Sequence, residues 1–214
     1  MSKKILIIGK NSNIAKEFIK KISKTGLVAP DKKKWNMLDS DFKKSQINEI
    51  ISADKILLLQ SIISSKDFLK RYHKDIVDQF TINFLSIIKI CEIALNNNKN
   101  VRIIILGSES GVKGSFDIVY GLMKSAIHKY VEERRIKFPK QQLVCVAPST
   151  IVDANMTLNR KDKYNVKSSI LKNPKKRGLK SSEIANLLYD IFYKHTDYIS
   201  NTVIRVDGGK FARM

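Results

Sequence analysis

Short runs of consecutive apolar residues alternate along the chain with longer segments in which apolar residues recur every three or four positions. The short runs are typical of strands buried on both faces, and the longer segments are typical of amphipathic helices. Their alternation predicts an α/β fold with one doubly wound parallel sheet and helices on both faces. The predicted strands are residues 4–8, 27–29, 34–38, 55–60, 101–106, 143–147 and 202–206. The predicted helices are residues 13–23, 41–51, 67–96 with a break near the start, 119–138 and 181–193.

One long segment interrupts this alternation. Residues 149–180 are polar and irregular, which predicts a substrate-covering loop with some helix of its own. The sequence contains no internal repeat and no low-complexity linker. A length of 214 residues suits one domain, so we assign residues 1–214 to a single domain.

The composition narrows the class of protein. Hydrophobic residues make up 43% of the chain, enough for a normal core, and no apolar segment is long enough to span a bilayer. The apolar stretch at residues 5–8 is too short for a signal peptide. Cys91 and Cys145 lie in apolar contexts, which indicates reduced, packed thiols in a cytoplasmic protein. The histidines, His73, His128 and His195, have no metal-ligand spacing and are predicted to lie on helix surfaces.

The formal net charge of +20 has two interpretations. It can indicate an anionic partner such as a nucleic acid, a membrane surface or a charged small molecule. It can also reflect a lysine-rich composition, because the lysines are spread over the whole chain with only short clusters at residues 32–34 and 172–177. No nucleic-acid recognition motif accompanies the charge, so a nucleic-acid partner is not favoured.

The strongest chemical signal follows the apolar run 101–106. Gly-Ser-Glu-Ser-Gly at residues 107–111 is followed by Tyr120 and Lys124, whose spacing of four places both on one face of a helix. A free phenol has a pKa near ~10, and a neighbouring ammonium favours the phenolate. The pair can therefore exchange a proton with an alcohol or a carbonyl. Ser108 could hold the same substrate oxygen, whereas Ser110 is more typical of a loop hydroxyl.

The first predicted strand leads into a turn at residues 9–15 and then into a helix. Such a turn can bind an anion through backbone N–H groups, and dinucleotide-binding folds use it for a pyrophosphate. Gly9 is present, while Asn13 and Ala15 stand where further glycines are expected. Asn tolerates positive φ and Ala is the smallest substitute, so the turn fits either a dinucleotide site or an ordinary connection.

Taken in order, these motifs resemble the short-chain dehydrogenase/reductase family over nearly the whole chain. The matching segments are the turn at 9–15, Gly-Ser-x-x-Gly at 107–111, Tyr-x-x-x-Lys-Ser-Ala at 120–126, residues 177–185 and the closing Val-Asp-Gly-Gly at 206–209. Asp39 resembles the Asp that contacts the adenine ring, and Asn83 the helix Asn that supports proton relay. The resemblance implies a Rossmann-like fold.

The resemblance also implies an NAD(P)-dependent oxidoreductase that interconverts a carbonyl and an alcohol by hydride transfer. Tyr120 would be the acid/base, and Lys124 would lower its pKa and bind the nicotinamide ribose. Ser108 would orient the substrate oxygen, and Asn83 would hold a water that links Lys124 to solvent. The implied cofactor-binding residues are Gly9, Asn11, Ser12, Asn13, Ile14, Asp39, Gln60, Tyr120, Lys124, Pro148 and Ile151.

Several positions depart from the family pattern. Gln-Ser-Ile-Ile at residues 60–63 replaces the usual Asn-Asn-Ala-Gly, Pro148-Ser149 replaces Pro-Gly, and Asp153 stands where a Thr often binds the nicotinamide. The helix between the second and third strands is missing. The altered turn at residues 9–15 and the absent Asn-Asn-Ala-Gly favour an alternative, a catalytically weakened family member that serves as a binding or regulatory protein. The retained Asn83, Ser108, Tyr120 and Lys124 oppose it.

The cofactor, substrate and assembly are less constrained. Asp31 would favour NAD, whereas Lys10 and residues 32–34 would favour NADP, and the excess of basic residues gives NADP a slight preference.

A small-molecule substrate is expected. The basic residues between 159 and 180 favour an anionic one, such as a nucleotide-sugar or an acyl thioester. Family members commonly form homodimers or homotetramers through the helices that carry Asn83 and Tyr120, and Phe84, Ile88 and Ile127 are candidates either for that interface or for the core.

Overall fold

The computed structural model describes residues 4–39, 41–160, 163–194 and 197–210. Its sheet has six parallel strands in the order β2-β1-β3-β4-β5-β6. The strands are β1 (Ile5–Ile8), β2 (Leu27–Val28), β3 (Lys55–Leu58), β4 (Arg102–Leu106), β5 (Gln142–Pro148) and β6 (Thr202–Val206). The sheet extends to both sides of β1, which confirms the predicted doubly wound architecture.

Helices connect the strands and cover the sheet. They are α1 (Asn13–Ile19), α2 (Lys44–Ile51), α3 (His73–Phe80), α4 (Ser86–Asn97), α5 (Ser110–Lys113), α6 (Ile118–Glu133), α7 (Asn155–Leu158), α8 (Lys163–Leu171) and α9 (Ser181–Tyr193). A π-helical turn, Thr81–Leu85, joins α3 to α4, and a 3₁₀ turn, Phe68–Lys70, precedes them. The break predicted near the start of this long helix therefore lies at residues 71–72.

Each face of the sheet has its own apolar cluster. On one face, residues such as Leu6, Ile56 and Ile103 pack against residues of α2, α4 and α6. On the other face, Ile7 and Ile104 pack with residues of α1 and α9. Because alternate residues of each strand serve opposite faces, both sets must be apolar, which explains the continuous hydrophobic runs.

The predicted strand at residues 34–38 is absent from the described part of the chain. Instead, residues 31–35 form a turn. The Asp31 carboxylate accepts a hydrogen bond from the Lys34 N–H at 2.8 Å, and the backbone carbonyl of Asp31 accepts one from the Trp35 N–H at 2.9 Å. This turn places Trp35 and Met37 in the apolar core, where the Trp35 ring lies 6.0 Å from the Phe42 ring. The apolar residues that suggested a strand therefore cover the sheet.

Helix α6 ends earlier than predicted, at Glu133. The carbonyls of Val131 and Arg134 accept hydrogen bonds from the side-chain amide of Asn201, at 2.9 and 2.6 Å. This contact satisfies carbonyl groups that the end of a helix leaves without partners. Asn201 lies 70 residues after Val131 in sequence, so the pattern of residues within the helix could not reveal where the helix ends.

Cys91 and Cys145 are both free and buried, as predicted.

In the described residues, no helix combines the length and the apolar character needed to cross a membrane.

Candidate active site

A cleft of about 910 Å³ opens at the carboxyl ends of β1, β3, β4 and β5. Ligands of doubly wound sheets bind at this position, where the strand order reverses. Nearly all of the residues predicted to bind the cofactor line it, namely Gly9, Asn11, Ser12, Asn13, Ile14, Gln60, Tyr120, Lys124, Pro148 and Ile151. Ser108 lines the same cleft, so the predicted nucleotide and catalytic residues share one site.

Gly9 is the position where the turn after β1 requires glycine. Its φ is +91°, a conformation that favours glycine. A Cβ atom there would lie 2.8 Å from the backbone nitrogen of Gln60 and 2.9 Å from the backbone carbonyl carbon of Leu59. The absence of a side chain therefore lets β1 and β3 meet closely at the floor of the cleft.

The other two turn positions do not need glycine. Asn13 and Ala15 both lie in α1 and neither has a positive φ. The Asn13 amide instead donates a hydrogen bond to the Asp153 carbonyl, which ties the turn to the segment after β5. The Asp153 carboxylate accepts two bonds from Ser181, at 2.8 and 2.9 Å. Asp153 therefore binds the first residue of α9. It does not line the cleft, whereas a residue that binds the nicotinamide would.

Gln60 presents an unsatisfied amide to the cleft. Its side chain is 9% exposed, and neither its Nε2 nor its Oε1 atom has a hydrogen-bond partner in the structure. Buried amides normally form hydrogen bonds, and this side chain has both of its polar atoms available at the cleft wall. The amide could serve a ribose or a carboxamide equally well.

Asp39 does not line the cleft, contrary to the expectation that it contacts an adenine ring. Its carboxylate accepts a hydrogen bond from the Asn36 amide at 2.9 Å and is exposed. The turn that replaces the predicted strand brings Trp35, Asn36 and Met37 to the cleft instead. The path of this turn, which is not visible in the sequence, decides which residue faces the ligand.

Tyr120 and Lys124 lie on the buried face of α6, exposed by 7% and 1% respectively. The Lys124 ammonium donates a hydrogen bond to the Leu106 carbonyl at 2.8 Å, at the end of β4. It lies 5.6 Å from the centre of the Tyr120 ring. Burial lowers the pKa of Lys124 to about 8, because the charged form loses hydration.

The expected lowering of the Tyr120 pKa by Lys124 is not found. Burial raises the pKa of Tyr120, and the carboxylates of Asp117 and Glu109 raise it further. Hydrogen bonding from Ser108 and from Ser61 acts in the opposite direction. Tyr120 is therefore a neutral phenol at pH 7.

His128 is buried behind the Ser108 loop, not on a helix surface as predicted. Its Nε2 atom lies 3.5 Å from the Ser108 nitrogen, where it accepts a hydrogen bond. A Cβ atom on Gly107 would lie 2.5 Å from the Cys145 Sγ and 2.6 Å from the imidazole, and one on Gly111 would lie 2.6 Å from the imidazole, so both glycines leave room for the ring. Burial, with Lys124 and Arg205, lowers the pKa of His128 to about 4. His73 is exposed, as predicted, and His195 lies outside the described residues.

Asn83 supports the segment after β3. Its Oδ1 atom accepts hydrogen bonds from the Ile62 N–H at 2.8 Å and the Ser61 hydroxyl at 3.2 Å, and its Nδ2 donates to the Ile62 carbonyl at 2.7 Å. Its amide oxygen and nitrogen are thus bound to protein groups. The side chain orders residues 61–62 and does not face the cleft, so a water held by its amide group is not supported.

A buried ion pair, which the sequence did not suggest, fixes the start of α6. The Asp117 carboxylate accepts hydrogen bonds from Arg71 at 3.0 Å, from Gln79 at 2.6 Å and from the Ser64 N–H at 2.8 Å. It also accepts one from the Tyr120 N–H at 3.3 Å, as a helix N-cap. Arg71, Gln79 and Ser64 lie 38 to 53 residues away from Asp117 in sequence, which is why no local pattern indicates them.

The basic loop contributes little charge to the cleft. Nine basic residues suggested an anionic substrate: Arg160, Lys161, Lys163, Lys167, Lys172, Lys175, Lys176, Arg177 and Lys180. Lys161 lies outside the described residues, and of the other eight only Arg160 lines the cleft. The Arg160 guanidinium lies 4.5 Å from the centre of the Phe116 ring, which also lines the cleft.

No protein-family model matches the chain, and no curated protein matches it in sequence. Solved structures do match it. A short-chain dehydrogenase/reductase, glucose/ribitol dehydrogenase, from Brucella melitensis has a TM-score of 0.83 at 19% identity, covering 99% of this chain and 97% of that one. A short-chain dehydrogenase family protein from Francisella tularensis has a TM-score of 0.78 at 20% identity, covering 98% and 99%.

A short-chain dehydrogenase from Burkholderia cenocepacia in complex with NADP has a TM-score of 0.78 at 15% identity, covering 98% of each chain. The likeness extends over whole chains and includes one protein that holds a dinucleotide. The chain therefore has the Rossmann-like fold of the short-chain dehydrogenases/reductases, as the motifs predicted.

Proposed function

We propose that the chain is an NAD(P)-dependent oxidoreductase of the short-chain dehydrogenase/reductase family, which interconverts a carbonyl and an alcohol. The observation that supports this most strongly is the convergence of Ser108, Tyr120 and Lys124 on the cleft that begins at the Gly9 turn. A dinucleotide would supply or accept a hydride in this cleft. The chain's residues would then position the substrate and transfer the proton.

The cleft has features that fit a dinucleotide. The close approach at Gly9 leaves backbone at the floor of the cleft, and Gln60 offers a buried amide without a partner. Lys124 would bind ribose hydroxyls. Lys10 and Lys32 also line the cleft, and the Asp31 carboxylate is already engaged with the Lys34 N–H. This balance of charge supports a preference for the 2′-phosphate of NADP.

In the reducing direction, Tyr120 donates its proton to the oxygen of the substrate. The O–H bond of the phenol breaks, a new O–H bond forms on the substrate, and a phenolate remains on Tyr120. Ser108 would orient the same oxygen, and the Lys124 ammonium lies 5.6 Å from the centre of the Tyr120 ring. Because burial raises the pKa of Tyr120, the phenol holds its proton at neutral pH, and the same burial makes the phenolate that remains costly.

Arg160 supports a small-molecule substrate that carries an anionic group. It contributes a positive charge to the cleft beside the apolar ring of Phe116. Such a pair suits a carbonyl compound that carries a carboxylate or phosphate next to an apolar part. Nucleotide-sugars and acyl thioesters both meet this description.

Turnover of NADPH with matched anionic and neutral carbonyl compounds tests the proposal. Tyr120→Phe should reduce kcat by at least about 10²-fold, the usual contribution of a general acid, while NADPH binding persists. Arg160→Gln should raise KM for the anionic compounds only. Undiminished turnover in Tyr120→Phe would refute the mechanism. Lack of NADPH binding by the wild type would favour a binding or regulatory protein.

We also propose that the protein acts in the cytoplasm and pairs with a second copy through the faces of α3 and α6. Val77, Phe80, Ile118 and Leu122 are large apolar residues of these helices, and all are more than a third exposed. Of the candidates named from the sequence, Ile127 is buried in the core, whereas Phe84 and Ile88 are half-buried and pack against it. Sedimentation velocity that detects only a monomer at micromolar concentration would contradict the pairing.

A further inference from the structure

The loop that carries Ser108 is bound to the sheet on one side. The Gly107 N–H donates a hydrogen bond to the Val146 carbonyl at 2.8 Å, and the Glu109 N–H donates one to the Pro148 carbonyl at 2.9 Å. Both acceptors belong to β5. Strand β3, which flanks β4 on its other side, ends before this loop begins. The N–H of Ser108, between the two bound groups, therefore needs an acceptor from outside the sheet.

His128 supplies that acceptor from α6. Its Nε2 atom accepts a hydrogen bond from the Ser108 N–H, with 3.5 Å between the two nitrogens. The bond is long, but the ring is also held by packing. It is 7% exposed, and a Cβ atom on either Gly107 or Gly111 would lie only 2.6 Å from it. The imidazole therefore lies against both ends of the loop.

This hydrogen bond defines the protonation state of His128. A ring nitrogen that accepts a hydrogen bond carries no proton, so the imidazole is neutral and its proton is on Nδ1. Burial, together with the charges of Lys124 and Arg205, lowers the pKa of His128 to about 4. The acceptor nitrogen is therefore present at neutral pH.

The hydroxyl of Ser108 is oriented by a separate contact within the loop. Its Oγ atom accepts a hydrogen bond from the Ser110 N–H at 3.1 Å. Ser108 lines the cleft, whereas His128 does not. Ser110 thus orients the hydroxyl, and His128 holds the backbone to which that hydroxyl is attached.

We propose that His128 is a positioning residue, whose neutral imidazole fixes the backbone of Ser108 and thereby the hydroxyl that orients the substrate oxygen. It acts through Ser108 and does not touch the substrate. This role rests on the proposed function of Ser108. Removing the acceptor nitrogen should therefore disturb Ser108 selectively, and it should have no effect on a protein that already lacks the serine hydroxyl.

Amide hydrogen exchange followed by NMR tests the contact without cofactor or substrate. His128→Leu replaces the ring with a side chain of similar size that offers no acceptor. Exchange at the Ser108 N–H should become about five- to tenfold faster, the loss of one hydrogen bond. The N–H groups of Gly107 and Glu109 should keep their protection, because they are bound to β5. His128→Gln, which keeps an acceptor oxygen, should retain protection at Ser108.

Turnover of NADPH with a carbonyl compound tests the consequence for the reaction. His128→Leu should lower kcat/KM for the carbonyl compound by about ten- to a hundredfold, which a displacement of about 1 Å can cause, while the Kd for NADPH is unchanged. His128→Gln should recover most of this loss. Lys129→Met, which removes the exposed side chain next to His128 on α6, should match the wild type in both measurements.

A double-mutant cycle separates positioning from a general structural role. If His128 acts through Ser108, adding His128→Leu to Ser108→Ala should lower kcat/KM no further. Additive losses would overturn the role of His128. Unchanged exchange at Ser108 in His128→Leu, or equal acceleration at Gly107 and Glu109, would also overturn it.

If His128→Leu does not fold, the imidazole ¹⁵N chemical shifts of the wild type decide instead. A proton on Nδ1 and a bare Nε2 at pH 7 would support the contact, and a proton on Nε2 would overturn it. A wild type that fails to oxidise NADPH but shows the selective change at Ser108 would refute the proposed reaction and support the His128 contact. The two claims can therefore fail separately.

Discussion

Tyr120, Lys124 and His128 occupy one face of α6 at intervals of four residues, and each is buried. The first two positions follow from the sequence alone, because their chemistry and spacing are visible together. The third was misassigned to the surface although the same spacing was available as a signal. Its partners, the backbone of Ser108 and two glycines, belong to another segment, so the need for a neutral imidazole there could not be deduced.

Burial of His128 predicts a pH-dependent stability. Its pKa is about 4 in the folded protein and near ~6.5 in an unfolded chain, so the unfolded state binds the proton more tightly. The contribution of the neutral His128 to the free energy of unfolding is therefore complete above pH 7 and is lost as the pH falls toward 4. Between pH 7 and pH 4.5 it amounts to about 2 kcal/mol of the free energy of unfolding.

Urea unfolding of the wild type and of His128→Gln at these two pH values measures that contribution. The glutamine variant, which does not titrate, should lose less stability on acidification than the wild type. Equal losses in both proteins would show that His128 is not the group responsible.

The start of α6 shows how separate elements position the site. Asp117 caps the helix three residues before Tyr120, and its pair with Arg71 is almost completely buried, with side-chain exposures of 1% and 2%. A buried pair of this kind gains little over an apolar pair, but breaking it leaves one charge without compensation. The position of Tyr120 therefore depends on the segment before α3.

Removing Asp117 alone should be costly. Asp117→Leu should lower the free energy of unfolding by about 3–5 kcal/mol, because Arg71 remains buried without its partner. The double variant Arg71→Met, Asp117→Leu should recover part of that loss. A double-mutant cycle in urea measures the coupling, and strictly additive effects would contradict a mutually dependent pair.

Some strands and helices could be predicted from the sequence, and others could not. Buried strands and long helices follow from periodicity, and six of the seven predicted strands are present in the structure. Leu27–Val28 is only two residues long, and the expected strand at 34–38 is a turn. In that turn apolar residues cover the core without pairing, and a local pattern cannot distinguish the two arrangements.

Across the whole molecule, the cleft joins the Gly9 turn to the face of α6 that carries Tyr120. Its position follows from the topology, because the carboxyl ends of β1, β3, β4 and β5 meet there. Which residues face it depends on loop paths, and the sequence does not determine them. Asp39 and most of the basic loop lie outside the cleft for this reason, while Ser61 and Asn36 lie inside it.

Titration of the protein with NADPH and with NADH, followed by nicotinamide fluorescence, tests the central claim most directly. The wild type should bind NADPH more tightly than NADH, and Lys124→Met should weaken binding of both by at least about tenfold, the loss of one charged hydrogen bond. Lys129→Met, which removes an exposed lysine one turn further along α6, should bind like the wild type. Failure of the wild type to bind either dinucleotide would contradict the proposed oxidoreductase.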